Sequence, residues 1–381
     1  MTQPENVTPF QIEVPDADLV DLRERLARTR WPDTETVDDW SQGIPLAYVR
    51  DLARYWAEDY DWRKAEARFA AYPHFTTAID GLDIHFLHIR SPHEDAMPLI
   101  LTHGWPGSFV EFLDVIGPLT DPTAHGGDAS DAFHLVVPSL PGYGFSGKPE
   151  RAGWNVERIG AAWATLMDRL GYERYGAQGG DWGSMVTVAT AKAGGDKVAG
   201  IHLNMPVVSP DPATFSDLTD TERKTLADLA SHRDHGTGYS KIQSTRPQTL
   251  GYGLADSPTG QLAWIVEKFQ AWTDCDGHPE NTLTRDQMLD NVTLYWLTGT
   301  GASSARLYWE SFNGPHLDEV TTPTGCSIFP HEIIRASRRW AEKRFTDLRY
   351  WNELPAGGHF AAFEQPQTFV EEVRRFFRLV R

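Results

Sequence analysis

The spacing of apolar residues divides this chain into stretches of different character. Over the first 80 residues the spacing is helical. Leu19, Leu22 and Leu26 share one face of a helix predicted from Asp16 to Thr29, with acidic residues early and Arg23, Arg25 and Arg28 later. Trp31-Pro32 ends it. A second helix is predicted from Pro45 to about Asp59, with Leu46, Val49, Ala53 and Trp56 on one face. Tyr60-Asp61-Trp62-Arg63 leads into a third, shorter one. From Phe75 the pattern becomes strand-like. Ile84 to Ile89 alternates behind an Asp80-Gly81 turn, and Leu99 to Thr102, Phe133 to Pro138 and Val198 to Leu203 are short apolar runs. Val156 to Leu170 reads as a helix, and a strand over Tyr175 to Gln178 follows it. Between Pro206 and Leu307 helical spacing returns, in Thr219 to Ala230, Thr259 to Trp272 and Arg285 to Thr298. Strands resume at Thr324 to Pro330 and near Leu348 to Trp351, and an amphipathic helix from Pro366 to Val380 closes the chain.

Strands that alternate with helices make a mostly parallel sheet the economical reading, with helices on both faces. Residues 81–205 and 309–381 are expected to form this α/β core. Residues 206–308, a helical block inserted between two strands, read as a cap over the strands' carboxyl ends. Residues 1–80 read as an accessory helical meander that wraps against the core. They show no repeat and no low complexity.

Composition narrows the function. The 381 residues suffice for one large α/β domain with an insertion, or for two domains. Fourteen tryptophans are many, and some are expected to line a pocket. Lys and Arg total 35 against 53 Asp and Glu, a net charge of −18, which argues against nucleic acid or an anionic membrane surface as partner. It favours an uncharged or apolar substrate. The opening Met1-Thr2-Gln3-Pro4-Glu5-Asn6 has no basic n-region, and no run of about 18 apolar residues occurs, so a soluble protein without signal peptide or anchor is expected. The two cysteines, Cys275 and Cys326, argue against a disulfide framework and point to a reducing cytoplasm. Cys326, in an apolar run, reads as a buried thiol.

The chemistry concentrates at strand ends. Residues 179–183 read Gly-Gly-Asp-Trp-Gly, the small-x-nucleophile-x-small turn between a strand and a helix, too tight for a Cβ on either side. The usual occupant is serine; here it is Asp181. A carboxylate is already ionised at neutral pH and can displace a leaving group from saturated carbon. Glu332 follows a later strand end, and His359 stands in Gly357-Gly358-His359-Phe360 after another. Nucleophile, acid and base thus come in the chain order of the α/β-hydrolase fold. In that reading His359 takes a proton from water, and Glu332 orients the ring and stabilises the imidazolium. His103-Gly104-Trp105-Pro106 follows an apolar strand, where an oxyanion loop belongs, so the backbone N–H groups of Trp105 and Trp182 are expected to hold a developing oxyanion. Each fragment alone is more often an ordinary turn or a surface ion pair. Their joint order, each at a predicted strand end, makes chance a poor explanation.

Other motifs carry less. His85-x-x-His88 lies in a predicted strand and His232-x-x-His235 in a predicted loop. Neither pair has a Cys or acidic partner at ligand spacing, so no metal is expected. No glycine-rich phosphate loop with Lys follows a strand, so no nucleotide is expected either. Tyr143 and Phe145, in the run Pro141 to Gly147, are read as turn and pocket-wall residues.

Along nearly its whole length the chain resembles the microsomal-type epoxide hydrolases of the α/β-hydrolase fold. The matching stretches are His103-Gly104-Trp105-Pro106-Gly107-Ser108, Gly179-Gly180-Asp181-Trp182-Gly183, Phe329-Pro330-His331-Glu332, and Gly357-Gly358-His359-Phe360-Ala361-Ala362-Phe363-Glu364. The first 80 residues resemble that family's N-terminal meander. Two cap stretches, Gly238 to Gln243 and Leu294 to Tyr308, are similar to those carrying the family's ring-opening tyrosines. The resemblance implies that Tyr239 and Tyr308, not Tyr295, have this role. It also implies cofactor-independent hydrolysis of an epoxide to a vicinal diol through an alkyl ester on Asp181.

The runner-up is a haloalkane dehalogenase-like hydrolase, which uses the same fold and an aspartate often followed by tryptophan, as Trp182 follows here. The two cap tyrosines discriminate, since they protonate an alkoxide and a halide needs no proton. A ligand-binding protein on this fold would have no need of the acid–base pair. Tryptophan abundance points to an aromatic or bulky apolar epoxide. The physiological substrate, its stereochemistry, a role in detoxification or in natural-product biosynthesis, and the oligomeric state, a homo-oligomer included, stay open at this level.

Overall fold

The computed structural model describes residues 6–312 and 318–381. Met1 to Glu5, on which the expectation of no signal peptide rests, and residues 313–317, assigned to the core, lie outside the described residues.

Nine strands among the described residues form one sheet: β1 Thr8–Phe10, β2 His74–Ile79, β3 Leu82–Ile89, β4 Met97–Thr102, β5 Phe133–Pro138, β6 Tyr175–Gly179, β7 Val198–Leu203, β8 Thr324–Ile328 and β9 Leu348–Glu353. Their order is β1-β2-β3-β5-β4-β6-β7-β8-β9. Pairs β1–β2, β2–β3 and β3–β5 are antiparallel, and every later pair is parallel. Asp80 and Gly81, with φ of 50° and 79°, make the two-residue turn that joins Ile79 to its partner Leu82. This is the α/β-hydrolase fold. Every residue of β7 is buried, as a parallel strand covered on both faces requires.

One sheet face is shaped by glycine. Gly176, Gly200 and Gly325 sit on neighbouring strands, and a Cβ on any of them would come within 3 Å of the Phe376 or Phe377 ring. That flat patch seats the C-terminal helix Pro366–Phe377. The helix Val156–Arg169 packs closely against Trp182–Gly194, the helix that follows β6; a Cβ at Gly160 would lie 2.5 Å from Ala189.

Between β7 and β8 lie the helices Asp220–Ser231, Gly238–Thr245, Pro247–Asp256, Pro258–Trp272, Arg285–Thr298 and Gly301–Ser311. Three of them, Gly238–Thr245, Pro247–Asp256 and Gly301–Ser311, do not emerge from the apolar periodicity. They are rich in Gly, Ser and Thr, poor helix formers that packing overrides. Gly251 lets two of them touch, since a Cβ there would lie 2.7 Å from Ala302. Gly301–Ser311 also runs through the 308/309 boundary expected between cap and core. The N-terminal helices Asp16–Ala27, Leu46–Glu58 and Trp62–Ala70 brace the inserted helices. Tyr60 donates to Asp290 at 2.8 Å, and Arg285 pairs with Asp51 at 2.7 Å.

Two readings need correction. Tyr143 and Phe145 lie in the expected turn, but neither lines the two cavities that reach Asp181. Tyr143 is fully buried and donates to the Ser304 carbonyl at 3.0 Å; Phe145 packs against Phe10 and His85. His232 and His235 lie not in a loop but in a π-helical turn, His232–Gly236, that extends Asp220–Ser231.

Candidate active site

The turn after β6 holds Asp181 at φ 50° and ψ −131°, a backbone conformation costly for a residue with a side chain. The tightness has a direct cause. A Cβ at Gly183 would lie 1.9 Å from the Thr102 carbonyl oxygen on β4. The strained turn lifts the carboxylate off the sheet at the N-terminus of helix Trp182–Gly194, where free N–H groups and the helix dipole favour an anion.

The loop after β4 closes over that carboxylate. The Trp105 N–H donates to Asp181 Oδ1 at 2.8 Å. Only glycine fits before it, because a Cβ at Gly104 would lie 2.1 Å from the same oxygen. His103 is a peg for the loop. Its Nδ1 meets the Gly104 carbonyl at 3.0 Å, its Nε2 accepts the Leu140 N–H at 3.2 Å, and burial pushes its pKa down to about 4.

His359 arrives on the loop after β9. Its Nε2 lies 3.3 Å from Asp181 Oδ2, and its Nδ1 lies 2.6 Å from Glu332 Oε1. Glu332 Oε1 also accepts the Ile333 N–H at 2.7 Å. Burial disfavours the imidazolium, but the charges of Glu332 and Asp181 outweigh it and hold the pKa well above the ordinary histidine value. The His359 N–H donates to the Trp272 carbonyl at 2.9 Å, an approach that a Cβ at Gly358, 2.5 Å from that oxygen, would block.

Tyr239 and Tyr308 come from the helices Gly238–Thr245 and Gly301–Ser311. Tyr239 stacks on Trp105 with ring centroids 5.1 Å apart. Tyr308 stands edge-on to Trp182 at 4.8 Å and 5.8 Å from the Tyr239 ring. Burial first, then neighbouring groups including Asp181, raise the pKa of both phenols, so both keep their protons. Tyr295 is turned elsewhere and donates to the Gly107 carbonyl at 2.8 Å.

A cavity of about 420 Å³ reaches Asp181, Tyr239 and Tyr308 and is walled by Met185, Met205, Phe312 and Ile333. A second one, of about 20 Å³, also reaches Asp181 and touches His359, Gln178, Asn204 and Glu111. Asp181, Glu332, His359, Tyr239, Tyr308 and the Trp105 N–H therefore converge, and Trp182 opens the helix that follows Asp181. The histidine pairs do not. His85 is buried between His74 and Ser139, at 2.8 and 2.9 Å, while His88 bonds Tyr172 at 2.7 Å. His232 lines the larger cavity. Among the described residues no group of three or more His, Cys, Asp or Glu is placed to hold a metal.

Two acids at the site carry no periodic signal. Glu111 touches the smaller cavity, and burial pushes its carboxyl up to about 8. Glu364 accepts the N–H groups of Phe360 and Asp274, at 3.0 and 2.9 Å, and so fixes the His359 loop. Its only trace in the sequence is its place in the Gly357-to-Glu364 motif.

Known proteins match this chain in sequence and in fold. Residues 7–112 match the family model "Epoxide hydrolase N terminus", and residues 97–234 match that of the alpha/beta hydrolase fold. The chain is 57% identical over 379 residues to a Stigmatella aurantiaca protein named "Putative epoxide hydrolase", covering 98% of this chain and 86% of that one. It is 35% identical over 410 residues to epoxide hydrolase 1 of Sus scrofa, covering 99% and 89%. The crystal structure of juvenile hormone epoxide hydrolase from the silkworm Bombyx mori superimposes with a TM-score of 0.90 at 32% identity, covering 99% of this chain and 95% of that one. With a matching N-terminal segment, fold and full-length relatives, this chain belongs to the epoxide hydrolase family of the α/β-hydrolase superfamily.

Proposed function

We propose that this enzyme opens its epoxide in two covalent steps, with Asp181 as the nucleophile. One geometry carries the reading: Asp181 Oδ2 lies 3.3 Å from His359 Nε2, and the apolar cavity that reaches Asp181 also takes in both phenols. An epoxide carries ring strain but a poor alkoxide leaving group. Tyr239 and Tyr308 hydrogen-bond the ring oxygen and give it a proton as the C–O bond breaks. Asp181 attacks the ring carbon from the opposite side and becomes an alkyl ester.

Ester formation erases the Asp181 charge. His359 then loses one of the two carboxylates that hold its proton, and that proton replaces the one the phenol gave up. The neutral imidazole, backed by Glu332, takes a proton from water as the hydroxide adds to the ester carbonyl. The Trp105 and Trp182 N–H groups hold the oxyanion. The smaller cavity, about 20 Å³, suits a single water beside Asp181 and His359. Collapse frees the diol and restores the carboxylate and imidazolium. No cofactor or metal enters the cycle.

In this reading residues 206–308, with the helix Gly301–Ser311 that crosses the bound, are a lid on a core of residues 81–205 and 309–381; the helices of residues 1–80 brace the lid, while Thr8–Phe10 and His74–Ile79 join the core sheet. The walls of Met185, Met205, Phe312 and Ile333 suit an aromatic or bulky apolar epoxide. Two free, buried cysteines suit a reducing cytoplasm, the location we assign. A dehalogenase would have no use for the paired phenols.

The deciding experiment is a single turnover with enzyme in excess, in water enriched in heavy oxygen. The label should enter the Asp181 carboxylate and be absent from the first diol formed. Label passing straight into the diol would end the two-step reading.

A further inference from the structure

Helix Pro258–Trp272 brings a lysine to an aromatic wall. Lys268 is only 7% exposed. Its Nζ lies 4.6 Å from the centroid of the Tyr239 ring and 5.6 Å from that of Trp272. Lys268 and Trp272 are four residues apart and share a helix face. Its ion-pair partner is its neighbour Glu267, at 2.5 Å. Trp105 stacks on the same phenol, with planes 10° apart. A cavity of about 350 Å³ lies against His232, Tyr239, Glu267, Lys268 and Trp272.

A cation taken out of water is costly, and one ion pair offsets only part of the cost. A cation over a ring face is attracted by the ring's electron density, and the attraction grows as the ring gains charge. A phenol gains that charge as its proton leaves. The contact is therefore stronger late in the proton transfer than before it, which is the condition for lowering a barrier. The groups around Tyr239 otherwise hinder the transfer. Burial comes first, then Asp181; Glu332 and Glu267 add to them, while the Tyr308 hydroxyl works the other way.

We infer that Lys268 is a positioning residue for ring opening: its ammonium, held over the Tyr239 ring, stabilises the negative charge left on that phenol. The inference rests on the reading of Tyr239 as proton donor. In the step concerned, the Asp181 Oδ–carbon bond forms and the epoxide C–O bond breaks. The electron pair goes to the ring oxygen, which takes the Tyr239 proton and leaves a phenolate beneath Lys268. No other reactant is needed.

The test times the alkyl ester on the Asp181 peptide by rapid quench and mass spectrometry, with styrene oxide as probe. The proteins are wild type, Lys268→Met, Lys268→Arg, Tyr239→Phe and the double variant Lys268→Met/Tyr239→Phe. A wild-type rate in Tyr239→Phe would remove the proton donor, and the inference about Lys268 with it. Given a slow Tyr239→Phe, Lys268→Met should form ester roughly tenfold to thirtyfold more slowly, with substrate affinity changed by less than about twofold. Lys268→Arg should restore the rate to within about threefold. In the Tyr239→Phe background the methionine change should add nothing, because no phenolate forms there. An unchanged rate in Lys268→Met, or an equal loss with and without the Tyr239 hydroxyl, overturns the inference and leaves the tyrosine reading standing. Should Lys268→Met fail to fold, Glu267→Gln reads the same field with the opposite sign. Removing that carboxylate should speed ester formation, and a slower rate overturns the inference.

Discussion

The two oxygens of Asp181 have different partners: Oδ1 accepts the Trp105 N–H at 2.8 Å, and Oδ2 faces His359 Nε2 at 3.3 Å. The first contact holds one oxygen where an oxyanion would later form. The second leaves the other oxygen beside a cation and free to bond carbon. The proposed cycle thus needs no rearrangement of the carboxylate between its halves.

Asp181→Ala should lower turnover on the order of 10⁴-fold or more, since no other carboxylate can take its place in the strained turn. His359→Gln separates the halves. Ring opening should proceed, ester hydrolysis should stall, and the mass of the Asp181 peptide should rise by that of the epoxide. A His359→Gln protein that binds substrate but never gains that mass contradicts the assignment of His359 to the second step.

Tyr239→Phe and Tyr308→Phe should each slow ester formation, and the double change should slow it by roughly 10²–10⁴-fold, the range of lost general-acid catalysis. Burial raises both phenol pKa values, so the wild-type rate should not fall near neutral pH through loss of these protons. Stopped-flow measurement of the single-turnover rate would read this. A double variant with the wild-type rate would take both phenols out of the mechanism.

The strands from His74 onward and the positions of Asp181, Glu332 and His359 at strand ends were legible in the sequence because their signals are local, whereas the short strand Thr8–Phe10, in a stretch read as helical, was not. A fully buried strand such as Leu99–Thr102 at the end of β4 is a run of apolar residues closed by one threonine, and the elbow and the Gly357-Gly358-His359 turn need glycine at fixed offsets. The helices Gly238–Thr245 and Gly301–Ser311, which carry the two tyrosines, showed no period, because contacts far along the chain stabilise them. Tyr239 and Tyr308 were therefore legible only by resemblance. Glu111 and Lys268 were not legible at all. Each is an ordinary charged residue in sequence, and its role depends on what folds over it.

Gly104→Ala should remove activity without preventing folding. The added methyl would lie 2.1 Å from Asp181 Oδ1, in place of the closure that brings the Trp105 N–H to the carboxylate. We expect a stability loss of about 1–3 kcal/mol, as for other overpacked sites. Turnover should fall by about 10²–10³-fold through the lost oxyanion donor. Denaturant midpoints and single-turnover rates on the same preparation separate the two effects. Near-full activity at reduced stability would detach this loop from the chemistry.

Glu332→Gln tests the electrostatics of the second step through its pH dependence. Burial pulls the His359 pKa down, and the charges of Glu332 and Asp181 more than restore it. In the ester the Asp181 charge is gone and Glu332 alone supports the imidazolium. Ester hydrolysis needs neutral His359, so its rate falls as pH drops through the His359 pKa in that state. Removing the Glu332 charge lowers this pKa, and the acid limb should move to lower pH. The plateau should fall as well, by roughly 10²–10⁴-fold, because the imidazolium formed as water attacks has lost its counter-charge and its orienting bond. Decay of the trapped alkyl-enzyme, followed from about pH 5 to about pH 9, reads both changes. If the limb stayed in place while the plateau fell, Glu332 would act through geometry alone. A limb displaced to higher pH would mean that the 2.6 Å contact between Glu332 and His359 does not set the proton affinity of the base.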